Sequence, residues 1–322
     1  MMSGEDVESP RAQQPEQSLK TVGGFDVSLF NDEHFAKCRQ LLGIDASILD
    51  GFQFGELAAG GGKGGDVMAF TADRKYIVKG VGGDDQQALL DLAEVLCDHM
   101  SQTETLLSKM LFHFEISDGP HEGCYFVMNN CLPSLPDKFQ WDETFDLKGC
   151  CDDKVLSRKG QRITEVHKRC FSFLTCWYGC DLACCICNSP ERQEYFEGKK
   201  YALSTKFSVD AKTKQYVDKV IAADCDFLSK TTVTMDYSMI LGTVKCAKGE
   251  EDQLPKGAFP NQPFLAYTGE DEITAYYFGI IDFLQRWTAT KKVRLPSHAA
   301  LHLLDHHMPA HGGLLRLICC ST

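Results

Sequence analysis

Apolar residues recur along this chain with two different periods. Between Asp32 and Ala46 they return at helical spacing, with Phe35, Cys38, Leu41 and Leu42 near one face. Residues 85–100 repeat that pattern through Leu89, Leu92, Val95 and Leu96, and Tyr216–Leu228 does so through Val217, Val220, Ile221, Cys225 and Leu228. Each stretch predicts a helix with the named residues facing inward. Elsewhere the runs are shorter and rich in β-branched and aromatic residues. Tyr76-Ile77-Val78 and Tyr125–Asn130 read as strands, as do Val233–Gly242 and Tyr276–Leu284. The first 22 residues are polar and rich in Gln, Pro and Glu, which predicts a disordered tail. Lys245–Pro263 predicts a charged loop rich in Gly and Pro.

The last two apolar runs each enclose a single acid, Asp236 and Asp282. An ionised carboxylate inside a buried strand is costly unless a cation or hydrogen bonds compensate it. One such residue could simply end a strand in a turn; two suggest a shared polar site that could hold a metal. The Tyr76–Val78 strand delivers Lys79 at its end, where a compact ammonium could meet phosphates, although most lysines are merely solvated. Before it lies Gly60-Gly61-Gly62-Lys63-Gly64-Gly65-Asp66, a turn whose backbone N–H groups could approach a phosphate closely. It is not a Walker A loop, because Lys63 is followed by Gly and the next segment reads as strand. On the residues alone, a flexible hairpin tip and a phosphate loop weigh evenly.

With Phe145-Asp146-Leu147-Lys148-Gly149, Met235-Asp236-Tyr237-Ser238 and Gly279-Ile280-Ile281-Asp282 in this order, the chain from about Phe52 to Lys292 resembles the phosphatidylinositol phosphate kinase family, specifically the phosphatidylinositol-4-phosphate 5-kinase type. The three motifs together are specific, while any one alone is weak. The resemblance implies an α+β, two-lobed kinase-like fold with an antiparallel sheet in each lobe and the nucleotide in the cleft. Its parts would be a small nucleotide-binding lobe over residues 23–130 and a large catalytic lobe over 131–292, the latter with a Cys-rich insertion at about 165–200.

The implied activity is ATP-dependent phosphorylation of a phosphatidylinositol phosphate head-group hydroxyl, with ATP and Mg2+ as cofactors. The implied roles are Lys79 on the α/β phosphates and Gly60, Gly61, Gly62, Gly64 and Gly65 over the nucleotide. Asp282 would bind the metal, Asp236 would orient the ring hydroxyl or help bind metal, and Lys148 would stabilise the moving charge. The helix over 85–100 would offer an acid to the lysine, with Asp85, Asp91 and Glu94 as candidates and Glu94 preferred. The implied setting is cytoplasmic and peripheral, at the anionic inner face of a membrane, with a phosphoinositide as partner; oligomeric state stays open.

Two departures from the family stand out. Where it has Ser-Thr and basic residues after DLKG, this chain has Cys150-Cys151-Asp152-Asp153-Lys154, and acids there would repel an anionic substrate. After Lys292 the family's lipid-recognising activation segment is missing, and residues 293–322 form a histidine-rich tail instead. In that tail His298, His302 and His306 share helical spacing, with fortuitous spacing favoured over a metal site. These departures support an alternative, a catalytically impaired relative that acts as a nucleotide-binding scaffold. An ordinary protein kinase ranks low, because neither H-R-D-x-x-x-x-N nor D-F-G occurs.

Composition changes little in this picture. A chain of 322 residues with 43% hydrophobic and 24% charged residues can bury one large or two smaller cores. No signal peptide and no transmembrane run are predicted. Sixteen cysteines without such a signal predict reduced thiols. The net charge of −12 argues against nucleic acid and requires any membrane-facing surface to concentrate positive charge locally. Cys170, Cys176, Cys180, Cys184, Cys185 and Cys187 crowd one stretch. There a zinc site, a lipidation patch and an amphipathic helix with apolar thiols compete, the helix being favoured.

Overall fold

The computed structural model describes residues 20–50, 52, 58–59, 67–71, 73–102, 104–149, 153–163, 190–232, 237–285 and 318–320. Residues 1–19 of the polar N-terminal tail, the Gly60–Gly65 turn, the Cys-rich stretch, Asp236 and the histidines of the tail after Lys292 lie outside these residues, whereas Lys20–Val22, expected within the disordered N-terminal tail, form a strand paired with Phe25–Val27.

The N-terminal part opens with β1 (Lys20–Val22) and β2 (Phe25–Leu29), followed by α1 (Asp32–Leu41). Asp32 and Glu33 in the first turn of α1 complement the helix dipole. Next come β3 (Ala58–Ala59), β4 (Val67–Phe70) and β5 (Tyr76–Val81), then α2 (Gly83–Gln102), β6 (Met110–Ile116) and β7 (Gly123–Asn129). The strands form one seven-stranded antiparallel sheet, in the order β1-β2-β6-β7-β5-β4-β3.

The C-terminal part has β8 (Glu143–Leu147), β9 (Lys154–Arg158) and β10 (Gln161–Arg162), then α3 (Pro190–Ser204), β11 (Phe207–Val209) and α4 (Ala211–Phe227). Asp210 caps α4 by accepting from the N–H groups of Lys212 and Thr213. After α4 come β12 (Ser238–Ala247), β13 (Phe264–Tyr267) and β14 (Glu272–Ile281), with β15 (Ile318–Cys320) beside β11. The second antiparallel sheet has the order β10-β9-β8-β12-β14-β13. Two antiparallel sheets with helices form the two-lobed kinase-like fold expected from the sequence. Among the described residues, no helix is long and apolar enough to cross a membrane.

Several local expectations shift. Leu41 and Val95, expected to face inward, are exposed, while Leu89, Leu92 and Leu96 are buried as expected. Both misplaced residues sit at the margin of their apolar stripe, which spacing alone does not delimit. Lys79 lies within β5, not at its end, paired with Met68 and Phe126. Lys245 still belongs to β12, so the charged connection starts later than expected.

The largest apolar cluster runs through both lobes. It joins Leu89 and Leu96 of α2 to Phe145, Leu147, Met239, Ile280 and Phe283. Two glycines allow close contacts of β12 and β14 with side chains on the sheet, Gly242 at a smaller cluster around Tyr277 and Gly279 at the largest one. A Cβ on Gly242 would stand 2.5 Å from the Trp141 ring, and one on Gly279 would stand 2.5 Å from Phe259 and 2.6 Å from Cys131 Sγ. Bare backbone at these positions lets β12 and β14 seat against the aromatic side chains.

Candidate active site

β8, β12 and β14 are adjacent, so their register fixes which residues share an end of the sheet. Met239 pairs with Leu147 on one side and with Ile280 on the other, and Ser238 pairs with Ile281. Lys148 follows Leu147 and Asp282 follows Ile281, so both emerge at this end. With neighbouring strands about 4.8 Å apart, their backbones lie roughly 10 Å from each other. Asp236 lies outside the described residues; Tyr237 and Ser238, which follow it, are buried at the same end.

Asp282 is not enclosed in a strand, as the apolar run around it suggested. β14 stops at Ile281, and Asp282 adopts a left-handed backbone with φ 61°. That conformation is uncommon for a residue with a Cβ, although Asp tolerates it better than most. It breaks the alternation of the strand and turns the carboxylate out, leaving the side chain 46% exposed. Lys79, whose side chain is 24% exposed, brings Nζ to 3.2 Å from Asp282 Oδ1. This ion pair joins the two sheets across 203 positions of sequence. Glu94 is exposed on α2, and Asp282 is one carboxylate that meets Lys79.

The glycine turn lies outside the described residues, but its flanks do not. Ala59 pairs with Val67, so the turn connects two antiparallel strands, and Met68 of β4 pairs with Lys79. The hairpin stem therefore stands beside the lysine strand.

At Lys148 the structure corrects one expectation. Asp153 does not project toward a substrate. It is buried, and its Oδ1 accepts the backbone N–H groups of Lys148 at 2.6 Å and Gly149 at 2.8 Å. The acid thus braces the turn that carries Lys148. Lys154 pairs with Asp146 of the same motif at 3.3 Å, with both side chains largely buried. Asp152 lies outside the described residues.

The connection between α2 and β6 in the N-terminal lobe reaches across to β14. Ile280 N donates to Leu106 O at 2.6 Å, and Ser108 N and Oγ donate to Ile280 O at 2.8 and 3.0 Å. Cys131, beside Gly279, is fully buried. Burial, with a smaller contribution from the Asp282 charge, pushes its thiol up to about 12, so it is not a reactive thiolate.

Asp282 offers hard oxygen donors at a solvent-accessible strand end, which fits a Mg2+ ligand. Among the described residues, no group of three or more His, Cys, Asp or Glu could hold a metal by itself. Magnesium commonly takes one or two carboxylates and completes its shell with substrate phosphates and water, so a single described carboxylate suits it.

The family model for phosphatidylinositol-4-phosphate 5-kinase matches residues 56–263, more than half of the chain. A probable phosphatidylinositol phosphate kinase of Dictyostelium discoideum is 24% identical over 235 residues, covering 69% of this chain and 28% of that protein. Phosphatidylinositol 4-phosphate 5-kinase 3 of Arabidopsis thaliana is 21% identical over 260 residues, covering 75% of this chain and 36% of that protein. The chain thus spans about a third of the length of these relatives. The match to the family model runs from the flank of the glycine turn through the lysine strand, the DLKG turn and β12, and the chain belongs to the phosphatidylinositol-4-phosphate 5-kinase family.

Proposed function

We propose that the chain transfers the γ-phosphoryl group of ATP to a hydroxyl on the head group of a phosphatidylinositol phosphate, with phosphatidylinositol 4-phosphate 5-kinase activity as the specific reaction. The observation that carries this reading is the Lys79–Asp282 ion pair. It brings Lys79 and Asp282 from separate sheets to within 3.2 Å, which supports reading the lysine as a phosphate ligand and the carboxylate as a metal ligand of one site. Family membership and the names of the two relatives support the substrate class.

Phosphoryl transfer through a loose transition state needs positioning and charge neutralisation more than covalent chemistry. In this reading Lys79 binds the α/β phosphates, and the hairpin of Gly60, Gly61, Gly62, Gly64 and Gly65 covers them. Asp282 would hold Mg2+, which supplies charge neutralisation on the phosphates. Lys148, held by the Asp153 clamp, stabilises charge on the moving phosphoryl group or on the substrate phosphate. Asp236 would orient the ring hydroxyl and accept its proton, or help bind the metal, as the hydroxyl oxygen bonds to the γ-phosphorus and the bond to the β–γ bridging oxygen breaks to release ADP. The reaction takes place at an anionic membrane surface on the cytoplasmic side.

Transfer of labelled phosphate from ATP to vesicles containing phosphatidylinositol 4-phosphate tests the reading. Wild-type chain should label the lipid. Asp282→Asn and Asp236→Asn should each lower turnover by about a hundredfold or more, with an unchanged melting temperature. Full turnover in either variant would refute its role. Mg·ATP binding without lipid labelling would favour the scaffold.

A further inference from the structure

A fully buried carboxylate lies away from the cleft, at the junction of the two lobes. Asp224 sits on α4 and is 0% exposed. Its Oδ1 accepts from Thr105 Oγ1 at 2.7 Å and lies 2.8 Å from His99 Nε2, and its Oδ2 accepts from Leu106 N at 2.7 Å. A carboxylate only accepts, so His99 donates. His99 belongs to the last turn of α2 and stacks on Phe227, with centroids 4.0 Å apart and rings 8° from parallel. One side chain therefore ties together a helix of the N-terminal lobe, the connector at 105–106 and a helix of the C-terminal lobe.

The connector leads directly to the cleft. Leu106, whose N–H is held by Asp224, accepts through its carbonyl from Ile280 N at 2.6 Å. Ile280 is two residues before Asp282, and Leu107 forms a parallel bridge with it. From the other direction, α2 begins at Gly83, directly after the strand that carries Lys79. Both members of the Lys79–Asp282 pair thus connect through short hydrogen-bonded or covalent paths to the elements that Asp224 grips.

Burying a charge here is costly, and a well-packed apolar side chain would anchor the helices at less cost. What the acid adds is direction, because its charge-assisted bonds fix where Leu106 stands. We propose that Asp224 is a positioning residue that sets the register between the lobes and so holds Asp282 opposite Lys79. The inference rests on the proposed nucleotide site.

Two readouts test it, one of them independent of any ligand. In Asp224→Asn one acceptor oxygen becomes a donor, and amide exchange at Ile280 should accelerate at least about tenfold, while the interior amides of β12 keep their rates. Affinity for Mg·ATP should fall by about ten- to a hundredfold, the scale that a small misplacement in a site produces. Asp226→Asn, an exposed acid on the same helix, should change neither. Thr105→Val should shift both readouts in the same direction by less, and Thr105→Ser should restore them, so the inference remains decidable if Asp224→Asn does not fold. Unchanged exchange at Ile280, or uniform acceleration across β12, overturns the positioning role. Faster exchange at Ile280 with unaltered Mg·ATP affinity overturns it too. A wild-type chain that binds no Mg·ATP overturns the nucleotide site itself, and the exchange result then decides the Asp224–Ile280 link alone.

Discussion

Replacing His113 by Leu should remove a pH dependence that the fold builds in. His113 lies on β6, is 1% exposed and tilts against Phe30 with ring centroids 4.7 Å apart. Neither ring nitrogen has a hydrogen-bond partner. Burial disfavours the charged form and pushes its pKa from 6.5 down to about 4. The unfolded chain therefore binds a proton that the folded chain refuses between those values. The stability is complete above pH 6.5 and is lost as pH falls toward 4. The difference corresponds to about 3 kcal/mol, most of it lost by about pH 4.5. At pH 7 the substitution should change stability by less than about 1.5 kcal/mol, because the lost ring packing is offset by removal of unsatisfied nitrogens. At pH 5 His113→Leu should be more stable than wild type by about 2 kcal/mol relative to that baseline. Urea titrations from pH 4.5 to 7.5 measure this directly. Parallel stability curves for the two proteins would refute the assignment.

Other substitutions probe the cleft from its supports. Gly279→Ala places a methyl against Phe259 and Cys131, so it should destabilise by about 1–3 kcal/mol, with partial recovery in the Gly279→Ala/Phe259→Leu pair; a denaturation double-mutant cycle checks it. Asp153→Ala leaves the N–H groups of Lys148 and Gly149 without their shared acceptor and should cost about 2 kcal/mol, whereas Asp153→Asn, which keeps an acceptor, should cost less. If Lys148 acts on phosphate, lipid labelling should fall more in Asp153→Ala than in Asp153→Asn when both are assayed folded.

The sequence made the helices and the order of the motifs legible, because both depend on local pattern. Leu89, Leu92 and Leu96 repeat as a helix requires, and they are buried. The stripe on α4 was fully readable in Val217, Val220, Ile221, Cys225 and Leu228. Strand ends were less legible. Gly80 after Lys79 resembles a terminator, yet β5 continues to Val81 because β7 extends alongside it, pairing Tyr125 with Gly80 and Cys124 with Val81. Asp282 looked buried because its flanks are apolar, and no period reports a left-handed φ. Asp153 was read by its charge alone, and whether a carboxylate faces solvent or backbone depends on contacts that the run from Cys150 to Lys154 does not encode. Asp224 carried no signal at all. Its partners are 118, 119 and 125 residues away, and its place among the apolar residues of α4 resembles an ordinary polar interruption.

The apolar cluster that passes from α2 to β14 bears on how this protein can be divided. A fragment ending near Asn130 would keep Leu89, Leu96, Leu107 and Met110 but lose Phe145, Leu147 and Ile280 from the same cluster, uncovering Leu107 where it bridges to Ile280. Loss of such an apolar interface would favour self-association of the fragment. The two sheets are thus separate in their hydrogen bonding and shared in their interior, and the chain should melt as one cooperative unit.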